Sequence, residues 1–202
     1  MRALPIILIL FLFSCEKHGE FEILRPIHEF TDVRDGNIYE YIDIGFQTWM
    51  AENLAYIDYD YYPDTIDFTV IHEKPTMPLF YNNGDYGVLY NWYAAIAVAP
   101  EGWHIPSEAE WDRLIKYVGG DSIAGMKLKD INSFAALAGG AKADEFPVNG
   151  IGQTGAWWGT GLVDEQWQYS INFVGENNIT KRDLKDDNAF AKYLSIRCVK
   201  DN

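Results

Sequence analysis

Acids, a histidine and a serine crowd one short stretch of this chain: His104, Ser107, Glu108 and Glu110. Such side chains could transfer protons or activate a nucleophile, and two carboxylates held a set distance apart are what glycoside hydrolysis requires. The spacing points elsewhere. Glu108 and Glu110 are adjacent at a helix start, and the sequence offers no second acid with a reason to face them. None of the four histidines, His18, His28, His72 and His104, neighbours a serine or cysteine in a Gly-x-Ser-x-Gly elbow. Ser107 and Glu110 instead have the spacing of a capping box, in which each satisfies the other's free backbone amide. His104 is expected to hydrogen-bond backbone where a strand turns into that helix.

Two further chemistries are worth weighing. Asp32–Asn37 has the acids and glycine of a calcium loop but not its full spacing or terminal glutamate, so it reads as a turn. The Tyr56–Asp67 tract carries Asp58, Asp60, Asp64 and Asp67 on an irregular loop, which leaves only a weak calcium site open. No metal centre and no cofactor is expected. Ring stacking is the third chemistry. Trp157 and Trp158 lie in a glycine-rich stretch, with Trp167 close behind. Adjacent tryptophans on a strand face opposite ways, so one enters the core. The other either packs as well or offers its ring to a sugar or a protein partner, and Trp157, Trp158 and Trp167 are the candidate ligand-binding residues.

The elements that must position these residues follow from local pattern. Pro106 keeps Ile105 extended, and Ser107 then starts a helix whose apolar stripe is Trp111, Leu114, Ile115 and Val118. Gly119-Gly120 ends it. Ile38, Ile42 and Ile44 share one face of a strand after the Asp35-Gly36-Asn37 turn, and Gly45-Phe46-Gln47 turns it into Thr48-Trp49-Met50. Tyr86–Val98 is expected to be a helix capped by Asp85, and Ser122–Leu128 a short one. Glu165–Val174 and Tyr193–Val199 read as strands, with Asn177-Asn178 as a turn. The class is α+β.

Leu4–Phe13 is an apolar run too short to span a membrane, and residues 1–14 are expected to be a targeting segment. The run closes at Leu12-Phe13-Ser14-Cys15, which resembles a bacterial lipobox. That resemblance implies an acylated Cys15 and membrane attachment through lipid; the alternatives are an ordinary signal peptide with a chance cysteine, or an uncleaved anchor. Residues 15–29 then form a polar tether, and one domain occupies 30–202. The net charge of −14, without any Lys/Arg cluster, argues against nucleic acid and against electrostatic docking on anionic lipid. It suits a solvated acidic surface. Thirteen Tyr, eleven Phe and seven Trp suit either a compact loop-rich core or sugar binding.

Longer motifs carry a family resemblance. Asp35-Gly36, Tyr39, Ile44-Gly45, Gln47 and Trp49–Leu54 come first, then Tyr86–Ala95, Gly102–Trp111, Gly119-Gly120, Lys127–Lys129 and Phe134–Leu137. Gly139-Gly140, Gly155, Trp157-Trp158 and Ser195–Asp201 complete the series. In this order they resemble the Fibrobacter succinogenes major paralogous domain over about Asp32–Asn202. The resemblance implies a fold similar to C-type-lectin-like and formylglycine-generating-enzyme-like proteins: two main helices beside small twisted antiparallel sheets, with the chain ends close together. Trp49, Trp103, His104, Ser107, Glu110, Trp111 and Cys198 then have structural roles.

The oxidase chemistry of the formylglycine-generating relatives needs thiolates to hold a soft metal, and with Cys15 acylated only Cys198 is left. Members commonly carry a cysteine where Ala99 stands, so the resemblance implies that Ala99 and Cys198 are neighbours. Members mostly lack an assigned activity. The expected function is therefore non-catalytic: an exported, lipid-anchored binding or adhesion module at the outer membrane and open to the cell surface, contacting glycan or protein. A structural envelope lipoprotein is the alternative, and a polysaccharide hydrolase a distant third.

Overall fold

The computed structural model describes residues 27–58, 80–82, 84–130, 134–143, 148–161, 168–174, 178–183 and 192–201. An antiparallel meander opens it. Strand β1 (His28–Thr31) pairs with β2 (Ile38–Ile44), and β2 pairs with β3 (Gln47–Met50). In the first turn the Gly36 amide donates to the Asp32 carbonyl at 2.8 Å and the Asn37 amide to Asp35 Oδ1 at 2.9 Å. Gly45 sits at φ +65° as the first residue of the two-residue second turn, where a hairpin of that length favours glycine. The strand starts at His28, two residues ahead of the boundary at Phe30, because the His28 ring stacks on Tyr41 across the pair at 5.1 Å.

Next, β4 (Phe80–Asn82) pairs with β5 (Val88–Tyr90) across a 3₁₀ turn at Gly84–Tyr86, and α1 (Trp92–Ala95) follows. The helix expected over Tyr86–Val98 with Asp85 as cap is therefore corrected. Asn91 is the real cap, its side-chain oxygen accepting from the Ala94 amide at 2.9 Å. Val88, Leu89 and Tyr90 are all buried, and an unbroken apolar run has no period to separate strand from helix. Gly87, at φ +84° and pressed against the Leu54 carbonyl, ends the 3₁₀ turn and lets the strand begin at Val88.

Strand β6 (Trp103–His104) leads into α2 (Glu108–Tyr117), and α3 (Asp121–Leu128) follows. Trp111, Leu114 and Ile115 of α2 are buried, with Val118 packed beside them. Its end is a Schellman turn: the Gly120 amide reaches the Ile115 carbonyl at 2.8 Å and the Gly119 amide the Lys116 carbonyl at 3.2 Å. Helix α3 starts at Asp121, one residue ahead of expectation.

The rest is short strands: β7 (Lys142–Ala143), β8 (Gly155–Thr160), β9 (Gln168–Val174), β10 (Asn178–Asp183), β11 (Lys192–Tyr193) and β12 (Val199–Lys200). Among the described residues the sheets run β1-β2-β3-β12-β6, β10-β9-β8, β11-β7 and β4-β5, every pair antiparallel. The fold is α+β, with three α-helices among the described residues and an open antiparallel main sheet.

That sheet is covered on both faces. Tyr39, Met50 and Trp103 face one core, with Tyr90, Trp92, Trp158 and Ile196. Ile42, Ile44, Trp49 and Val199 face the other, with α2, α3, Phe134 and Trp157. The tail threads between the two: Leu194, Ile196 and Cys198 enter the first core and Val199 the second. Its carbonyls accept from Met50, Leu54, Tyr90 and Trp158 at 2.9–3.0 Å, so three separate segments hang on it.

Candidate functional site

Strand β6 delivers His104 to the start of α2, and the capping box forms. Ser107 Oγ accepts from the Glu110 amide at 3.3 Å, and Glu110 Oε2 accepts from the Ser107 amide at 2.7 Å and its hydroxyl at 2.8 Å. Glu110 Oε1 lies 2.9 Å from His104 Nε2, and His104 Nδ1 lies 2.7 Å from Asp201 Oδ1. His104 therefore bridges two carboxylates, which corrects the expectation that it binds backbone. The Glu110 hydrogen bond outweighs burial and, with Asp201, raises the imidazole to about 8. Burial would raise Glu110, but hydrogen bonds from His104 and Ser107 hold it down to about 2. At neutral pH the trio is a charged clamp between the helix start and the residue after β12. Both ring nitrogens are engaged, which suits holding a shape better than passing protons.

Arg197 is the residue that sequence reasoning overlooked. It is wholly buried, its guanidinium 4.4 Å above the Phe134 ring. Its Nε and Nη2 donate to Asn53 Oδ1 at 3.2 and 2.9 Å, Nη1 donates to the Phe134 carbonyl, and Nη2 also reaches the Ala135 carbonyl at 3.2 Å. Trp157 Nε1 donates to the same Asn53 oxygen at 2.8 Å. Burial lowers the guanidinium to about 9, Glu52 opposing, and it stays charged at neutral pH. Ala135 sits at φ +48°, a left-handed conformation that a non-glycine residue adopts only when held, and the Arg197 bond to its carbonyl helps hold it. The alternation Ser195, Arg197, Val199 against Leu194, Ile196, Cys198 was the available signal, a lone cation on an otherwise buried strand.

The candidate ligand tryptophans do not present their rings. Trp157 and Trp158 do face opposite ways, but both are 0% exposed, because β8 lies between two cores and each ring fills one of them. Trp158 Nε1 donates to the Tyr90 carbonyl. The expectation of a stacking surface on this pair is corrected: a ring with no open face cannot stack on a sugar. Trp167 and Cys15 lie outside the described residues, as do Asp60, Asp64 and Asp67. In the Asp32–Asn37 turn the Asp32 carboxylate is buried and taken by Arg34 at 2.6 Å, in keeping with the turn reading. Among the described residues no group of three or more His, Cys, Asp or Glu is arranged to hold a metal ion. Trp49, Trp103 and Trp111 are core residues. Cys198 is buried and its thiol pushed up by burial; Ala99 packs against the same cluster.

What does reach solvent is the outer part of a strip of rings, His28, Phe30 and Tyr41, whose inner members are buried. On β1 and β2 the alternate residues His28, Phe30, Tyr39 and Tyr41 share one face, and Trp103 of β6 closes the row: Phe30 stacks on Trp103 at 4.7 Å and on Tyr39 at 5.5 Å, and Tyr41 meets Trp103 edge-on at 5.6 Å. His28 is exposed, and Phe30 and Tyr41 are half-buried. The Lys200 ammonium sits 5.0 Å from the Tyr41 ring and 6.0 Å from that of Trp103. Rings two apart on two paired strands are visible in the sequence once the pairing is known.

The model of the Fibrobacter succinogenes major domain matches residues 42–200. The chain belongs to that family. No curated protein and no solved structure matches it. The Fibrobacter succinogenes major domain thus takes in the His104 clamp as far as Glu110, the Arg197 network, the second core and all of the first but the Tyr39 side. His28, Phe30, Tyr39 and Tyr41 precede its matched range, while Trp103 and Lys200 fall within it.

Proposed function

We propose that this protein is a non-catalytic binding module of the cell envelope, lipid-anchored through Cys15 and C-type-lectin-like in fold, whose sheet edge takes up glycan. The aromatic strip carries the reading. Phe30 and Tyr41 keep part of each ring open to solvent beside the exposed His28 ring, apolar surface of the kind that packs on sugar rings, and Lys200 adds a donor at the rim. A non-catalytic role is favoured because the acid–base candidates at the start of α2, and the one described cysteine, are committed. Glu110 accepts three hydrogen bonds, His104 is tied at both nitrogens, and Cys198 is 0% exposed. A structural envelope lipoprotein without a small ligand is the second reading, favoured by Lys200, which already covers the Tyr41 ring.

A glycan array probed with residues 27–202 tests the first reading, with Tyr41→Ala and Phe30→Ala as companions. Binding that survives in the parent and falls at least about tenfold in either variant, some 1.4 kcal/mol, is the expected result. No glycan bound by the folded parent overturns it in favour of the structural role. Location at the outer membrane follows from the same anchor, and fractionation of cells expressing the protein against Cys15→Ala checks it.

A further inference from the structure

We propose that the hairpin tip at Phe46, with Tyr117, is a membrane-contacting surface that seats the domain on the bilayer holding its own anchor; this rests on the proposed acylation of Cys15. Phe46 is 96% exposed at the β2–β3 turn, the most exposed large apolar side chain among the described residues. It does not stand alone. Tyr117, at the end of α2 and 52% exposed, lays its ring on Gly45, so closely that an added Cβ would lie 2.9 Å from it. Two residues past Tyr117, Gly119 is covered in the same way by Ile123, and Met126 on the next turn of α3 is also exposed. One end of the domain thus carries an apolar cap, while Arg113 and Lys116 add positive charge on the adjacent stretch of α2. Rings beside basic side chains suit the interfacial layer of a bilayer.

Chain direction selects the occupant. In the β1–β2 register Thr31 faces Ile38 and His28 faces Tyr41, so following β1 back towards the N-terminus moves along β2 towards Ile44 and the tip. The chain therefore leaves the fold heading for Phe46, from a level about 15 Å short of it at about 3.4 Å per residue. From Ile27 to Cys15 the chain spans at most about 40 Å. The tip is the end that such a tether keeps nearest the lipid. The opposite turn at Asp32–Asn37, with Val33 88% exposed, points away.

The test uses the full-length lipoprotein in phosphatidylcholine vesicles, with a nitroxide label attached in the Phe46→Cys variant and, separately, in Val33→Cys. Cys198 is buried and escapes labelling. Label at position 46 is expected to favour oxygen over a water-soluble nickel relaxant, and label at position 33 to show the reverse. In the Tyr117→Ser background the oxygen preference at position 46 should weaken. If acylated protein is vesicle-bound and both labels are equally aqueous, the docking inference is overturned and the anchor stands. If the Cys15 peptide carries no acyl mass and the protein does not bind vesicles, the anchor fails and the inference falls with it.

Discussion

Two cations, Arg197 and His104, tie the end of this chain to its middle, and they do it by opposite means. Arg197 has no solvent and, among the described residues, no touching carboxylate; three uncharged oxygens, of Asn53, Phe134 and Ala135, replace its hydration shell. His104 is 39% exposed and held between two acids. A charge without water survives where fixed dipoles converge on it, and removing it strands them. A charge at the surface is held by other charges, and it answers to pH. The first arrangement fixes the interior. The second trims the edge.

The largest expected effect breaks the interior half of this contrast. Arg197→Met should cost about 3–5 kcal/mol in urea unfolding, since it leaves Asn53 and two loop carbonyls buried without their donor. If the cost is under about 1 kcal/mol, the network does not hold the loop. Asn53→Ala should cost about 2–3 kcal/mol, because one oxygen then fails three donors. At the edge, Glu110→Ala should cost about 1–2 kcal/mol, mostly through the lost cap.

The pH dependence sharpens the other half. His104 is raised on folding, so its contribution is complete below its ordinary value of 6.5 and is lost as pH rises through about 8. Glu110 is lowered, so its contribution is complete above 4.5 and is lost as pH falls through about 2. Melting temperature should be highest between these windows and decline on either side, and His104→Gln should flatten the alkaline decline; partial exposure keeps the amplitude small. Arg197→Met should leave the shape of that profile unchanged below about pH 8, since the buried guanidinium, lowered to about 9, stays charged there. The smallest effect concerns Cys198, which should resist alkylation until the chain unfolds, while Ala99→Cys should close a disulfide with it under mild oxidation.

Local chemistry was legible and distant chemistry was not. The capping box, the glycine end of α2 and the meander turns are each written within a few residues, and the folded chain forms each of them. The Val88–Tyr90 strand was misread because burial on both faces erases the period that marks a strand. The same two-sided burial hid the fate of Trp157 and Trp158: alternation fixes which way each ring points, not whether that side is covered. His104 and Asp201 are 97 residues apart, and Arg197 and Asn53 are 144 apart. Nothing short-range names such partners.

One placement has a consequence for how the molecule comes into being. Val199 and Lys200 occupy an inner position of the main sheet, flanked by strands made some hundred residues and more before them. Closing so wide a loop is slow, and the β3 and β6 edges cannot be joined until the ribosome has delivered that stretch. A nascent chain caught short of it leaves those two edges unjoined, so the main sheet closes last.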